Sequence, residues 1–162
     1  MMSNLHSFLS LGALLLISLI SLRFNSSVLE NSNIETENKV YLTAFSLAND
    51  LIEEMKNKAF DAATVKFPTT DPSLLTSPYS LGHASYEEYP YYNDIDDYNN
   101  FYQTIDAPHA ENYEIRCSVY YVSEYNTEYK VMTQTFYKRA DVTVASPYLT
   151  NTVRLSFIFT LK

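Results

Sequence analysis

Polar and apolar positions divide this chain into four stretches. From Phe8 to Leu22 (FLSLGALLLISLISL) the residues are apolar or small, with no charge and no proline. Extended from Leu5 to Phe24, the run reaches about 20 residues, the length a helix needs to cross roughly 30 Å of hydrocarbon. Ser7, Ser10, Ser18 and Ser21 are tolerable there, because a helical hydroxyl bonds back to the preceding turn. A polar patch, Asn25 to Asn33, interrupts the apolar character. From Ile34 to Phe60, Tyr41, Ala44, Phe45, Ala48, Leu51, Ile52, Met55 and Ala59 recur at steps of three and four, with charged and amide residues between them. That spacing predicts an amphipathic helix whose stripe, above all Phe45, Ala48, Leu51, Ile52 and Met55, seats it on the rest of the domain. Glu54 and Lys58 are spaced for an i,i+4 ion pair. Phe67-Pro68 is the expected end of the helical region, since proline disfavours helix in the residue before it.

Residues 66–112 read as an irregular connection rich in Tyr, Asp and Pro, holding Pro68, Pro72, Pro78, Pro90 and Pro108. The remainder is strand-like. Tyr113 to Val122 alternates Ile115, Cys117, Val119 and Tyr121 against Glu114, Arg116, Ser118 and Tyr120. Met132 to Ser146 sets Ala140, Val142 and Val144 against Arg139, Asp141 and Thr143, and Thr152 to Leu161 alternates in the same way. Alternation of this kind predicts an antiparallel sheet with one buried face. The expected fold class is α+β, with a long N-terminal helix packed on a C-terminal antiparallel β-sheet. Its parts are a hydrophobic membrane-span half at 1–24, an amphipathic half at 25–65, the connection at 66–112 and the sheet at 113–162.

The apolar run has three readings. A cleaved secretory signal wants a basic leader and a small-x-small cleavage site; Arg23 and Lys39 follow the run, and no Lys or Arg precedes it. A buried core helix fits poorly with so uniform a run. A retained membrane anchor fits best.

Composition narrows the function. Eleven Lys and Arg against 19 Asp and Glu leave a formal charge of −8, which argues against a nucleic-acid partner. Two Gly in 162 residues leave no room for Gly-rich phosphate loops. One cysteine, Cys117, excludes an intrachain disulfide and every multi-cysteine metal site; it alternates inward on its strand and is expected to be buried and inert. His6, His83 and His109 have no zinc spacing. No enzyme class is indicated, and no cofactor is expected beyond a calcium candidate at Asp94, Asp96 and Asp97. Calcium takes carboxylate and carbonyl oxygens, but Asp-Ile-Asp-Asp-Tyr lacks the Gly and the closing Glu of an EF-hand loop, so a solvated acidic loop, or one tethered to a helix terminus, is the favoured reading. Tyr86, Tyr89, Tyr91, Tyr92, Tyr98 and Tyr102 form either a protein-binding surface or a cover over the sheet.

Taken in order, these pieces resemble the type IV pilins and the pseudopilins of type II secretion, most of all their minor-pilin-like members. The resemblance is carried by the hydrophobic-then-amphipathic N-terminus, by the phrase from Ala44 to Asp61 (AFSLANDLIEEMKNKAFD), by Ile95-Asp96-Asp97-Tyr98-Asn99, and by the late strands around Tyr137–Val144 and Val153–Ser156. It implies a structural subunit in the bacterial inner membrane, with a periplasmic C-terminal domain that joins a periplasmic or cell-surface filament. The implied partners are other pilin-like subunits, assembly-machinery proteins and membrane lipid, in a homo- or hetero-oligomer. Phe8, Leu11, Leu15, Ile17 and Leu19 would make the membrane or filament-core contacts, and Gly12 is the possible processing site. The family's basic leader and fifth-position glutamate have no counterpart: Ala13-Leu14-Leu15-Leu16-Ile17 follows Gly12, and the first acid is Glu30. The alternative is a membrane-tethered or secreted binding module using the acidic, Tyr-rich loop.

Overall fold

With no proline before Pro68 and no glycine after Gly12 in that region, nothing local stops helix propagation. The computed structural model describes residues 2–161, with side chains from residue 6 onward. Helix α1 runs from Met2 to Lys56. The helix continues through the polar patch, where Ser26 Oγ donates to the Leu22 carbonyl at 3.0 Å, and just past it Thr36 Oγ1 donates to the Ser32 carbonyl at 3.0 Å. The chain divides into two compact units, Met1–Lys39 and Val40–Lys162.

The first unit is helical. Phe8, Leu11, Leu15, Ile17 and Leu19 are all exposed, as are the other described apolar side chains up to Phe24. Part of α1 is long and apolar enough to cross a membrane, and none of that window is buried.

In the second unit, α1 buries Val40, Ala44, Ala48, Leu51, Ile52 and Met55 in one core with the sheet. Ala44 and Ala48, one turn apart, put small side chains on the buried face. The expected stripe needs one correction. Phe45 is 43 % exposed and Tyr41 49 %, whereas Val40 is fully buried. The buried line follows 40-44-48-51/52-55, and Phe45 lies about 100° off it, one residue beyond Ala44.

The helix also ends earlier than Phe67-Pro68. Its last turn tightens, with Lys58 N bonding Met55 O at 3.1 Å, and the chain then leaves it to pair with a distant segment. Ala59 N bonds Asn93 O at 3.1 Å, Ile95 N bonds Ala59 O at 2.9 Å, and a short parallel bridge joins Ala59 to Asp94. Lys58 gives its ammonium to the Tyr92 carbonyl at 2.7 Å, and Glu54 accepts from Tyr98 at 2.6 Å and Tyr89 at 3.1 Å. The expected Glu54–Lys58 ion pair gives way to these tertiary contacts.

Five strands follow: β1 (Phe101–Ala107), β2 (Ala110–Ser123), β3 (Asn126–Lys130), β4 (Tyr137–Ala145) and β5 (Val153–Thr160). The sheet order is β1-β2-β4-β5, with β3 paired to the end of β2, and every ladder is antiparallel. Phe101, Cys117, Val142 and Leu155 share one cross-strand row, so one face of four strands is apolar. Two strands escape the hydrophobic pattern. β1 lies inside the supposed irregular connection, because its inward row, Phe101, Gln103 and Ile105, carries a polar residue. β3 is almost wholly exposed, so no apolar period marks it.

Candidate functional site

The densest chemistry in the folded unit is buried. Asp61, Asp94, Asp96, Asp97 and Lys138 are each at most 2 % exposed. Solvation of the acidic loop is therefore corrected, since the three loop aspartates are inside; the loop is instead tethered at the end of α1. Burial follows from the Ala59–Asp94 pairing, which pulls residues 93–98 against the end of α1.

Lys138 is the centre. The alternation of β4 carries it onto the inward face with Ala140, Val142 and Val144. Its ammonium donates to Phe60 O at 2.9 Å, to Asp61 Oδ2 at 2.7 Å and to Asp96 Oδ1. All three donors are thus engaged. The Phe60 and Tyr121 rings flank it at 4.5 and 5.0 Å.

Asp61 is held by much more than Lys138. Its Oδ1 accepts from Ala63 N (2.9 Å), Thr76 N (3.1 Å) and Thr76 Oγ1 (2.9 Å), and Tyr121 Oη lies 2.9 Å from Oδ2. Asp96 has Lys138 on Oδ1 and the Thr76 hydroxyl nearby; its Oδ2 makes no hydrogen bond among the described residues. Asp94 Oδ1 accepts from Asp96 N at 2.8 Å, and Asp97 Oδ2 from Asn93 N at 2.9 Å and Asp94 N at 3.3 Å. Of the four aspartates, Asp61 and Asp96 touch the lysine ammonium, while Asp94 and Asp97 are held by backbone N–H groups. Among the described residues, no three His, Cys, Asp or Glu converge as a metal centre.

The carboxyls separate electrostatically. Burial works against ionising Asp61, but the charge and hydrogen bond of Lys138, with the Ala63 and Thr76 donors, hold it near 2. Burial, then the neighbouring charges of Asp96 and Asp97, push Asp94 up to about 7. Burial also raises Asp96, to about 6, against the pull of Lys138. The signs for stability are opposite. Asp61 stabilises above its unfolded value of 3.8, an effect lost as pH falls toward 2. Asp94 keeps in the folded state a proton that the unfolded chain loses, so stability falls as pH rises from 3.8 to about 7. Urea unfolding on both sides of that window is expected to show this fall, and Asp94→Asn to flatten it; an equal slope in both proteins rules the assignment out.

The remaining candidates disperse. Tyr92 and Tyr98 are buried, Tyr98 beside Phe101 at 6.1 Å, so they pack under the loop. Tyr86, Tyr91 and Tyr102 are exposed, and Tyr89 sits at the margin. His83 is exposed and stacks on Tyr92 at 5.5 Å. Cys117 is buried, and its thiol is pushed up to about 12, by burial first and then by the Asp141 charge. On the opposite face of the sheet, Asp141 accepts from Arg139 Nε (2.8 Å), Tyr120 Oη (2.7 Å) and Ser156 Oγ. Gly12 lies within the exposed apolar run, with open space where a Cβ would stand.

Asp61 and Lys138 were not singled out as site residues from the sequence. The signal for Lys138 was present: it is the one charge at an inward position of the β4 alternation. Nothing local marks Asp61. Comparison with family models, with curated proteins and with solved structures returned no match.

Proposed function

We propose that this chain is a pilin-like structural or assembly subunit of a type IV pilus or type II secretion-type filament, anchored in the bacterial inner membrane by the apolar part of α1. One observation carries the reading. The same helix leaves every described apolar side chain from Phe8 to Phe24 exposed and, from Val40 to Met55, buries a stripe in the sheet domain. A segment so apolar needs a lipid or protein environment. Assembly exchanges lipid contacts for helix–helix packing, with other pilin-like subunits and the assembly machinery as partners. The sheet domain stands on the periplasmic side. No catalytic step is part of the reading, and neither is calcium at Asp94, Asp96 and Asp97.

Phe8, Leu11, Leu15 and Leu19 share one helix face, and Ile17 lies on another. Single cysteines at these five positions, oxidised in native membranes, are expected to cross-link between copies at 8, 11, 15 and 19 and much less at 17. Cys117 is buried and gives little background. Uniform absence of cross-links, with the protein anchored as a monomer, removes the assembly reading. That outcome favours the second reading, a membrane-tethered binding module, for which the exposed rings of Tyr79, Tyr86 and Tyr91 are the supporting observation.

A further inference from the structure

The Lys138 amine and the Asp96 carboxyl are in contact at a site without solvent access, 42 residues apart along the chain. We propose that they condense into an intramolecular isopeptide bond, joining Lys138 Nζ to Asp96 Cγ with release of one water.

Four observations carry this. The two groups are held in contact by separate rigid pieces, β4 and the single 3₁₀ turn at Asp96–Tyr98, so the reaction is intramolecular and pre-oriented. Such placement corresponds to effective concentrations on the order of 10⁵–10⁸ M. The site is dry: Lys138 is fully buried, Asp96 is 1 % exposed, and the Phe60 and Tyr121 rings wall the amine. Condensation therefore sends its water to bulk, where hydrolysis cannot readily draw on it. Two buried opposite charges become one neutral amide, which relieves the cost of keeping them out of water. Finally, the two carboxyls touching Lys138 are not equivalent. Asp61 is satisfied as an anion by Ala63, Thr76 and Tyr121 even without the lysine. Asp96 has the lysine on Oδ1 and the Thr76 hydroxyl nearby, and its Oδ2, which makes no hydrogen bond among the described residues, is the oxygen that departs. Asp96 is the electrophile and Asp61 the proton carrier.

The step balances without any co-reactant. One ammonium proton passes through Asp61 to the Asp96 carboxylate, leaving an amine and a carboxylic acid. The Nζ lone pair forms the C–N bond at Cγ. A second proton passes from Nζ by way of Asp61 to Oδ2, the C–O bond breaks, and Oδ2 leaves as water. The third ammonium proton remains as the amide N–H, Asp61 ends as the carboxylate it began as, and nothing is oxidised or reduced. Burial and the Asp61 charge both favour the protonated form of Asp96 that the attack needs.

The test is mass spectrometry of the full chain, purified and then fully denatured. The expected result is a protein lighter by one water, with a branched peptide joining Lys138 to Asp96 on digestion. The map reads the Lys138 peptide directly, so the state of the N-terminus does not affect it. Asp61→Asn, which keeps both reacting groups, and Asp96→Ala are each expected to show no branch. If either fails to fold, the wild-type map decides alone. An unbranched Lys138 peptide in the wild type overturns the proposal, and a branch to Asp61 overturns the choice of electrophile.

Discussion

Where Lys138 and Asp96 stand as an ion pair that has not condensed, Lys138→Met will destabilise the folded unit by about 3–5 kcal/mol, the usual cost of leaving a buried charge without its partner. That is a large part of the roughly 5–15 kcal/mol by which an ordinary domain is stable. The methionine fills a similar volume, so little of the loss is a cavity. It comes from Asp96, whose Oδ1 loses its ammonium and whose Oδ2 has no donor among the described residues, and from the Phe60 carbonyl, which loses its ammonium. Asp61 keeps its remaining hydrogen bonds. The double variant Lys138→Met, Asp96→Leu should therefore recover a good part of the stability, because it removes both members of the pair. Urea unfolding followed by tyrosine circular dichroism measures both. A single variant as stable as wild type, or a double variant less stable than the single, excludes this account of the cluster.

The second large effect lies in the apolar run. Replacing Leu15, Ile17 and Leu19 together by Asp should release the protein from membranes. Each acidic residue near a span centre costs about 2.5–3.5 kcal/mol, so three together exceed the favourable transfer of the apolar residues around them. Fractionation with carbonate extraction reads the outcome: wild type stays in the pellet, and the variant moves to the supernatant. Retention of the triple variant in the pellet would place the anchor elsewhere. The sheet domain should survive this change, since the buried stripe begins only at Val40. Its unfolding transition serves as the control.

The order of elements was legible because periodicity is local. The run from Phe8 to Leu22, the stripe of three- and four-residue steps and the alternation in β2, β4 and β5 each need only neighbouring residues to be recognised. The inward position of Lys138 was open to the same count by twos along β4, although it was not drawn from the sequence. The errors mark where counting stops. A stripe wide enough to include both Phe45 and Ala48 does not say which edge faces the sheet; the partner surface chose the line through Val40 and Ala44. β3 has no apolar period because its pairing with β2 buries almost nothing.

The site lay beyond the reach of any local reading. Asp94, Asp96 and Asp97 look like a hydrated acidic loop, since charge in a Pro- and Tyr-rich segment ordinarily stays in water. They are buried because the backbone of Ala59 pairs with that of residues 93–95, and Asp96 among them meets a lysine 42 residues further along the chain. The order of apolar and polar residues along the chain determined that this protein carries a membrane-length apolar helix and an α+β domain. Only tertiary contact decided which carboxyls share an ammonium, because that depends on groups close in space and far apart in sequence.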